Sequence, residues 1–461
     1  IECTAVDWKQ TEQARNALQT HSLVIFYRVP GFPEVLDLVA EAKRLQLPTY
    51  WDVDDIVFDR EVLVNSKTLA RLDKAAFDGL VTGADLYRQA MLACENGIAS
   101  TTGLARVMRD NGMQSVSVVE NALDEQTLTV SQRILQSCSM PSSDGIIRIV
   151  YGSGTNTHSV DFEEVALPLL EILKTCENVR FRLIGLLELP PDFAAYEEKI
   201  ERIAFCSYEE YLTHLAACDI NLAPLENYIF NDAKSNIKYL EAAAVALPSV
   251  CSPRAAFADA ITHGETGFLC DTPEAWLATL KTLVADAPLR HRVGHAAHAA
   301  VMAHYLPERI ADHQVKPLLQ GFGRRTNAHR LTVLSVNRYY APESFGGATV
   351  VAEEVNELLS KLDDFDVHVF TGLSSHVVDP YTIKRYETHG VNVFGVGLPD
   401  DLDQAQFENA KVASAFTEVL RLVRPDVVHV HSIQGIGLSI LHACREAGIP
   451  YVITLHDAWW L

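Results

Sequence analysis

The sequence has little cysteine and no long apolar run. Its nine cysteines are scattered through 461 residues, with no C-x-x-C pair and no cysteine-histidine cluster at metal-ligand spacing. This argues against a disulfide-stapled scaffold and against a structural zinc module, and it predicts reduced thiols in a cytoplasmic protein. No apolar run approaches the roughly 20 residues of a membrane span. Peripheral association with the inner face of the cell membrane stays open.

Positive charge is also scarce. The sequence has 38 Lys and Arg against 60 Asp and Glu, which gives a formal net charge of -22. Because so acidic a chain repels phosphate backbones, we expect no nucleic-acid partner. Small molecules are the expected ligands.

What the sequence does have is a steady alternation of short β-branched runs with longer helical patterns. This alternation predicts an α/β protein of Rossmann-like domains with parallel sheets. A chain of 461 residues is expected to hold two or three domains. The pattern places one domain at 1–145, a second at 146–322, a polar linker at 323–330 and the first part of a further domain at 331–461.

A β-α-β pattern occurs near both ends of the chain. Residues 21–58 align with residues 425–460, so that His456 and Asp457 fall on Asp54 and Asp55. The repeat favours a tandem of related modules. Both modules look incomplete from sequence, and we expect the chain to be a segment of a longer protein.

The stretch "FNDAKSNIKYLEAAAVALPSV" at 230–250 predicts a helix capped by Asn231 or Ser235. On a continuous helix, Lys234 and Glu241 share one face, about 10 Å apart. Lys234 near the helix start suits a phosphate, and Glu241 suits a ribose diol. The alternative is a solvated pair on an exposed face, but the alanine-rich surroundings favour a buried helix and therefore ligand contact.

Two glycine-bearing loops follow predicted strands, where open α/β sheets bind anions. The first is "GSGTNTH" at 152–158, in which Thr155, Thr157 and His158 can donate to phosphate. The second is "SFGGATVV" at 344–351. Each has the alternative interpretation of a simple tight turn.

The run "DVDD" at 52–55 suits Mg²⁺ or Mn²⁺, because hard carboxylates bind these ions. Its alignment with "TLHD" favours the other interpretation, in which Asp54 lines a cleft and acts through hydrogen bonds alone. By the same alignment His456 and Asp457 are pocket residues. The alternative for them is a capped loop with a structural histidine.

These stretches resemble the nucleotide-sugar-dependent glycosyltransferases of the GT-B fold, family 4, also called group 1. The resemblance rests on "KSNIKYLEAAAVALPSVCS", "ITHGETGFLC", "YYAPESFGGA" and "TLHDAWW". It implies that residues 146–322 are a donor domain and that the flanking segments are partial acceptor-side domains. The sequence departs from the family at Ala233, where a glutamate is usual, at Ala246, where a glycine is expected, and at Thr157 and His158, which replace a basic pair.

Carried over residue by residue, the resemblance implies three sets of site residues. The expected catalytic residues are Lys234, Asp54 and His456. The expected donor-binding residues are Gly154, Thr155, His158, Asn231, Lys234, Ser235, Asn236 and Glu241. The expected loop residues of the second module are Gly346, Gly347 and Asp457.

The resemblance implies a retaining hexosyltransferase that moves a sugar from a nucleotide-diphosphate donor to a glycan or lipid-linked acceptor in bacterial surface polysaccharide synthesis. No cofactor is expected to be required, although Mg²⁺ stays open, and no metal ligand is assigned. One alternative is a degenerate, non-catalytic array that scaffolds enzymes or binds glycan. A second alternative is a nucleotide-sugar epimerase on the same fold.

Overall fold

A computed structural model describes residues 3–67, 69–137, 144–154, 159–320, 330–401 and 407–456. It confirms the predicted α/β class. In chain order the strands are β1 (Val24–Tyr27), β2 (Thr49–Val53), β3 (Asn96–Ala99), β4 (Ser115–Val118), β5 (Ile147–Ser153), β6 (Val179–Gly185), β7 (Ile200–Ile203), β8 (Ile220–Ala223), β9 (Ser249–Cys251), β10 (Phe268–Leu269), β11 (Leu331–Asn337), β12 (Phe365–Ser374), β13 (Ile383–Thr388), β14 (Val391–Leu398), β15 (Val427–Val430) and β16 (Tyr451–Ile453).

Helices alternate with these strands through most of the chain. They are α1 (Thr11–Leu18), α2 (Pro33–Arg44), α3 (Arg60–Val64), α4 (Lys74–Ala93), α5 (Thr102–Asp110), α6 (Glu125–Ser137), α7 (Ser159–Thr175), α8 (Tyr208–Ala216), α9 (Ile229–Asp232), α10 (Ile237–Ala244), α11 (Ala255–Ala260), α12 (Pro273–Ala285), α13 (Ala287–His304), α14 (Pro307–Ile310), α15 (Lys316–Gln320), α16 (Gly347–Ser360), α17 (Ala410–Val423) and α18 (Ser439–Glu446). Within the described part of the chain, no helix is both long and apolar enough to cross a membrane.

The first sheet has the strand order β1-β2-β3-β4, and β2, β3 and β4 pair in parallel. β3 was not predicted from the sequence. Its sequence "NGIA" gives almost no strand signal. A Cβ at Gly97 would lie 2.6 Å from Cε of Met108, so the methionine side chain would have to move to admit a larger residue.

The second sheet has the order β10-β9-β8-β5-β6-β7, with parallel pairing throughout the registers that join these strands. Its core lies under α7 and α12 and contains Phe162, Phe181 and Phe193, whose rings lie 5.7 to 6.3 Å apart. The three strands β5, β6 and β7 run outward on one side, and β8, β9 and β10 run outward on the other. The direction of winding therefore reverses between β5 and β8.

The third sheet has the order β13-β14-β12-β11-β15-β16. It is parallel except for β13, which pairs antiparallel with β14 and which the sequence did not predict. The main chain of Arg385 in β13 is bound by side chains from α2 and the end of α1. Oε1 of Gln19 accepts from the Arg385 amide at 2.9 Å, and Nη2 of Arg44 donates to the Arg385 carbonyl at 3.1 Å.

A half-buried carboxylate, Glu41, holds that pair of side chains together. Glu41 accepts from Gln19 at 2.9 Å and from both Nε and Nη2 of Arg44 at 2.7 Å. The arrangement closes part of the outer edge of β13. Edges of this kind otherwise present unpaired amide and carbonyl groups.

By internal packing the chain divides into two compact units, one formed by Ile1–Ile25, Pro33–Thr49 and Phe322–Leu461 and the other by Phe26–Phe32 and Tyr50–Gly321. These units do not follow the three sequence segments, and the domain boundaries at 1–145, 146–322 and 331–461 stay a prediction. The cysteines within the described residues are free thiols, and Cys94, Cys251, Cys270 and Cys444 are buried.

Candidate functional site

The candidate site lies at the carboxyl end of β5. In open α/β sheets, ligands bind where the winding direction reverses, beyond the carboxyl ends of the strands. In the second sheet that point lies between β5 and β8. The strand β5 ends in Gly152 and Ser153, followed by Gly154, and the expected motif at 230–250 lies between β8 and β9.

The prediction of one continuous helix through Lys234 is wrong, because the structure has two short helices with a connection between them. The first piece is α9, which ends at Asp232, and α10 begins only at Ile237, with Asn236 as a cap residue whose side chain makes no capping bond. Lys234 therefore lies in the connection and not on the face of Glu241. The break has a physical cause, since the carbonyl of Ala233 accepts from Oγ1 of Thr101 at 2.8 Å instead of continuing the helix.

A buried carboxylate organises this connection. Asp161, in the first turn of α7, is 1% exposed. Its Oδ2 accepts from Nζ of Lys234 at 3.1 Å, and its Oδ1 accepts from Nδ2 of Asn231 at 2.8 Å and from the Glu226 amide at 3.1 Å. Because each of these donors satisfies a buried charge, Lys234 is oriented by the protein itself.

Glu241 is held in a tyrosine-lined recess on α10. The hydroxyl of Tyr211 donates to Oε2 of Glu241 at 3.3 Å, and the Tyr208 hydroxyl bonds to Thr127 at 2.8 Å. Burial raises the pKa of Glu241 from its ordinary value of 4.5 to about 7, although bonds from both tyrosines and the charge of Lys238 oppose the rise. The carboxylate that the sequence assigned to a ribose is therefore largely buried and costly to ionise.

Gly152 in β5 makes room for the ring that holds Glu241. A Cβ at residue 152 would lie 2.8 Å from the hydroxyl of Tyr211 and 2.9 Å from its ring. The glycine is thus required by packing between β5 and α8. The sequence interpretation of a close approach by backbone to phosphate is not needed to explain this glycine.

Lys238 is the clearest residue that the sequence reasoning missed. It lies one helical turn before Glu241 on α10, and its Nζ is buried without a hydrogen-bond partner among the residues that the structure describes. The ammonium lies 4.4 Å from the ring centroid of Tyr151 in β5. Burial lowers its pKa from 10.5 to about 8. The spacing of three residues from Glu241 was the available signal.

The other expected donor-binding residues have diverse surroundings. Asn231 is 4% exposed and bonds to Asp161 and to the Glu226 carbonyl, while Asn236 donates to the Tyr305 hydroxyl at 3.2 Å. Ser235 is partly buried in the connection, and Gly154 is exposed. Thr155, Thr157 and His158 lie outside the described residues.

Asp54 follows β2 and forms an ion pair with Arg28 at 2.9 Å. Arg28 also approaches Asp55 at 3.9 Å. Burial raises the pKa of Asp55, the charge of Asp54 adds to the rise, and Arg28 and Lys234 oppose it. Burial raises the pKa of Asp52 to about 6. Among the described residues no group of three or more His, Cys, Asp or Glu side chains is placed to hold a metal ion.

The amino-terminal end of α5 clamps the connection that carries Lys234. Besides the bond from Thr101 to Ala233, the backbone of Gly103 passes so close to Asp232 that an added Cβ would lie 2.0 Å from the Asp232 carbonyl oxygen. Oγ1 of Thr102 bonds to Asp259 at 2.7 Å. The segment from residue 232 to residue 234 is therefore fixed from the side of the first sheet.

The expected second-module residues lie in the other compact unit, at the carboxyl ends of β11, β15 and β16. Gly346, with φ of 85°, precedes α16, and Gly347 is its first residue. Nε2 of His456 lies 2.9 Å from Nδ1 of His431, a ring that is 1% exposed. Burial, together with the nearby His429 and His456, lowers the pKa of His431 to about 3. Asp457 lies outside the described residues.

Two protein-family models match the sequence. The model described as glycosyl transferases group 1 matches residues 151–286, which include the whole Asp161, Lys234, Lys238 and Glu241 arrangement. The model described as a glycosyl transferase 4-like domain matches residues 346–461. Together these two matches identify the chain as a glycosyltransferase whose group 1 segment spans residues 151–286. Comparison with curated proteins found no match.

Solved structures similar to this glycosyltransferase share little sequence with it. Sucrose-phosphate synthase from Thermosynechococcus elongatus is 14% identical, with a TM-score of 0.47 and coverage of 68% of this chain and 77% of that chain. HepE from Anabaena, in complex with UDP, is 13% identical, with a TM-score of 0.45 and coverage of 68% and 82%. The C-terminal domain of LpcC from Francisella tularensis is 17% identical, with a TM-score of 0.28 and coverage of 41% and 97%.

Proposed function

We propose that the chain transfers a sugar, with retention of configuration, from a nucleotide-diphosphate donor to a glycan or lipid-linked acceptor. The observation that carries the proposal is the pairing of Lys234 with buried Asp161 at the reversal point of the second sheet, a few residues before the half-buried Glu241 of α10. An oriented ammonium and a carboxylate that needs donors match the two ends of a nucleoside diphosphate. Bacterial surface polysaccharide is the acceptor class that we propose.

Each residue has a distinct task in this proposal. Lys234 contacts the diphosphate and stabilises the charge that it gains as it departs, because a preorganised cation acts most strongly where charge develops. Glu241 accepts hydrogen bonds from the ribose hydroxyls, which replace water as its solvation. Asp161 keeps the Lys234 ammonium in place both when the donor is bound and when the diphosphate departs.

Sugar transfer needs only the donor and the acceptor as reactants. The bond between the anomeric carbon and the diphosphate oxygen breaks, and the acceptor hydroxyl oxygen forms the new bond to that carbon. For retention, the acceptor approaches on the face from which the diphosphate leaves, so the departing phosphate oxygen can take the hydroxyl proton. Asp54 is proposed to act on the sugar side of this site. In the other compact unit, His456, Gly346, Gly347 and Asp457 are proposed to line the pocket of the second module.

Calorimetric titration with UDP, GDP and ADP, and with the corresponding nucleotide sugars, tests the proposal. Each titration is run with Mg²⁺ and with a chelator. We expect one nucleoside diphosphate to bind under both conditions and Glu241→Ala to weaken it at least tenfold. The matched control is Glu163→Ala, which removes an exposed carboxylate from α7. Failure of every nucleotide to bind the wild-type chain would refute the proposal.

Activity is then measured as release of nucleoside diphosphate in the presence of a glycan acceptor. Lys234→Ala should abolish transfer at a temperature where the variant is still folded, although loss of the cation that pairs with buried Asp161 should lower its unfolding temperature. Nucleotide binding with no transfer to any acceptor would favour a binding array over an enzyme. Isomerisation of the donor sugar without an acceptor would favour an epimerase.

A further inference from the structure

We infer that Lys238 is a second diphosphate-binding residue, whose buried ammonium is left for the donor to pair with. The inference rests on the proposed function, because it assigns a ligand group within the same site. The observation that carries it is the absence of a hydrogen-bond partner for Nζ among the described residues, although the atom is buried. A buried ammonium that lacks a partner is costly to a fold.

The groups around Lys238 are already engaged. Asp161 accepts from Lys234, Asn231 and the Glu226 amide, and Glu241 accepts from Tyr211. What faces the ammonium directly is the ring of Tyr151, 4.4 Å away, whose own hydroxyl is also buried and lacks a partner among the described residues. A ring face supplies only part of what a carboxylate or water would supply.

The position of Lys238 matches the proposed diphosphate site. Tyr151 lies in β5 directly before Gly152, so the ammonium lies at the carboxyl end of the central strand where the sheet reverses. Lys234 contacts the same Asp161 that influences Lys238 electrostatically. Two ammonium groups therefore lie near one strand end, and a diphosphate carries the negative charge that Lys238 lacks.

The loop that follows β5 has no lysine or arginine at positions 157 and 158. At 157 and 158, where the family resemblance leads one to expect a basic pair, the sequence has threonine and histidine. Lys238 supplies a positive charge at the carboxyl end of β5.

The test compares Lys238→Met with Lys281→Met, which removes an exposed lysine from α12 of the same sheet region. The probe is whichever of UDP, GDP or ADP binds the wild-type chain, and its nucleoside serves as the ligand without phosphates. We expect K238M to weaken diphosphate binding at least tenfold, to change nucleoside binding less than threefold, and to raise the unfolding temperature of the free protein. K281M should change none of these quantities.

A second measurement needs no variant. The pKa of Lys238 is about 8 in the free protein, lowered chiefly by burial and by Lys234. The charged or titratable groups that face it are Asp161, Lys234, Glu241 and Cys251. Diphosphate binding at pH 8 should therefore take up about half a proton, seen as a dependence of the calorimetric heat on buffer ionisation enthalpy. This uptake should vanish in K238M.

The outcomes separate the two proposals. If the wild-type chain binds a nucleoside diphosphate and E241A weakens it, but K238M binds as tightly as wild type, Lys238 is a structural lysine and the inference falls while the proposed function stands. If binding takes up no proton at pH 8, the inference also falls, even where K238M fails to fold. If no nucleotide binds at all, both proposals fail together.

Discussion

Nζ of Lys234 lies 3.1 Å from Oδ2 of Asp161, a carboxylate that is 1% exposed. The lysine is thus held by a partner on a different helix, α7, before any donor is present. A cation positioned in this way needs little reorganisation when charge develops on a leaving group. It also makes the site depend on a residue that was not among those expected from sequence.

Asp161→Asn should impair both stability and donor use. Loss of the charge leaves Lys234 partly buried without its partner, which costs about 3 kcal/mol in the free energy of unfolding. The KM for the donor should rise, because Lys234 loses its orientation. Urea unfolding and steady-state kinetics check the two effects. The control, Glu163→Gln, alters an exposed carboxylate two residues later on α7 and should change neither quantity.

Gly152→Ala should weaken nucleotide binding through Tyr211. The added methyl group lies 2.8 Å from the Tyr211 hydroxyl, so the ring must move away from Glu241. Overpacking of this kind costs about 1–3 kcal/mol in unfolding free energy. Gly79→Ala in α4 is the control, since its Cβ would meet no described atom within 4 Å. Equal stability and equal nucleotide affinity of G152A and wild type would contradict the packing argument.

Thr101→Val should loosen the connection that carries Lys234. The Thr101 hydroxyl donates to the Ala233 carbonyl and accepts from the Leu104 amide, so it both clamps the connection and caps α5. Its loss should cost about 1–2 kcal/mol of unfolding free energy and raise the donor KM. Thr101→Ser keeps the hydroxyl and should resemble wild type. An impaired T101S beside a T101V that resembles wild type would show that the methyl group, and not the hydrogen bond, matters.

Stability should depend on pH through Glu241. Its folded-state pKa of about 7 exceeds the ordinary 4.5, so the folded protein holds a proton that the unfolded chain releases between these values. The contribution is fully present below pH 4.5 and is lost as pH rises to 7, at up to about 1.4 kcal/mol per pH unit. From pH 4.5 to pH 7 the unfolding free energy of wild type should therefore fall relative to that of Glu241→Gln. A constant difference from pH 4.5 to 7 would be inconsistent with the raised pKa.

His431 should act in the opposite direction. Burial lowers its pKa from 6.5 to about 3. Between these two pH values His431 is protonated in the unfolded chain and neutral in the folded protein. This contribution to stability is present above pH 6.5 and is lost as pH falls toward 3. His431→Asn should flatten the loss while preserving an acceptor toward His456. Between pH 4.5 and 6.5 the Glu241 and His431 effects oppose each other, so only the single variants reveal them.

The regular parts of the fold could be predicted because their sequences are locally consistent. β5 ("IRIVYGS") and β11 ("LTVLSVN") are β-branched runs that lead into glycine-bearing loops, and β15 and β16 repeat the pattern of β1 and β2. β3 was missed because "NGIA" lacks such a run. β13 was missed because "IKRYET" alternates weakly and only pairing with β14 defines it.

Residues of the candidate site could be selected from the sequence where they share one motif, but not where their roles depend on distant partners. Lys234 and Glu241 could be selected from one motif. The break between α9 and α10 could not, because Thr101 causes it from 132 residues away. Asp161 and Tyr211 carry no local signal, since their roles exist only once β5, α7, α8 and α10 are packed together. Of the residues that were missed, only Lys238 could have been selected from the sequence, by its spacing of three residues from Glu241.

The contacts of Gln19 and Arg44 with the main chain of Arg385 also bear on how the protein can be divided for study. A fragment that begins after residue 49 would lack both side chains and would leave the amide and carbonyl of Arg385 open on the outer edge of β13. Two such fragments can pair edge to edge through these groups. A boundary chosen by sequence segment would thus create a self-associating species, and only a cut that retains residues 1–49 keeps this edge covered.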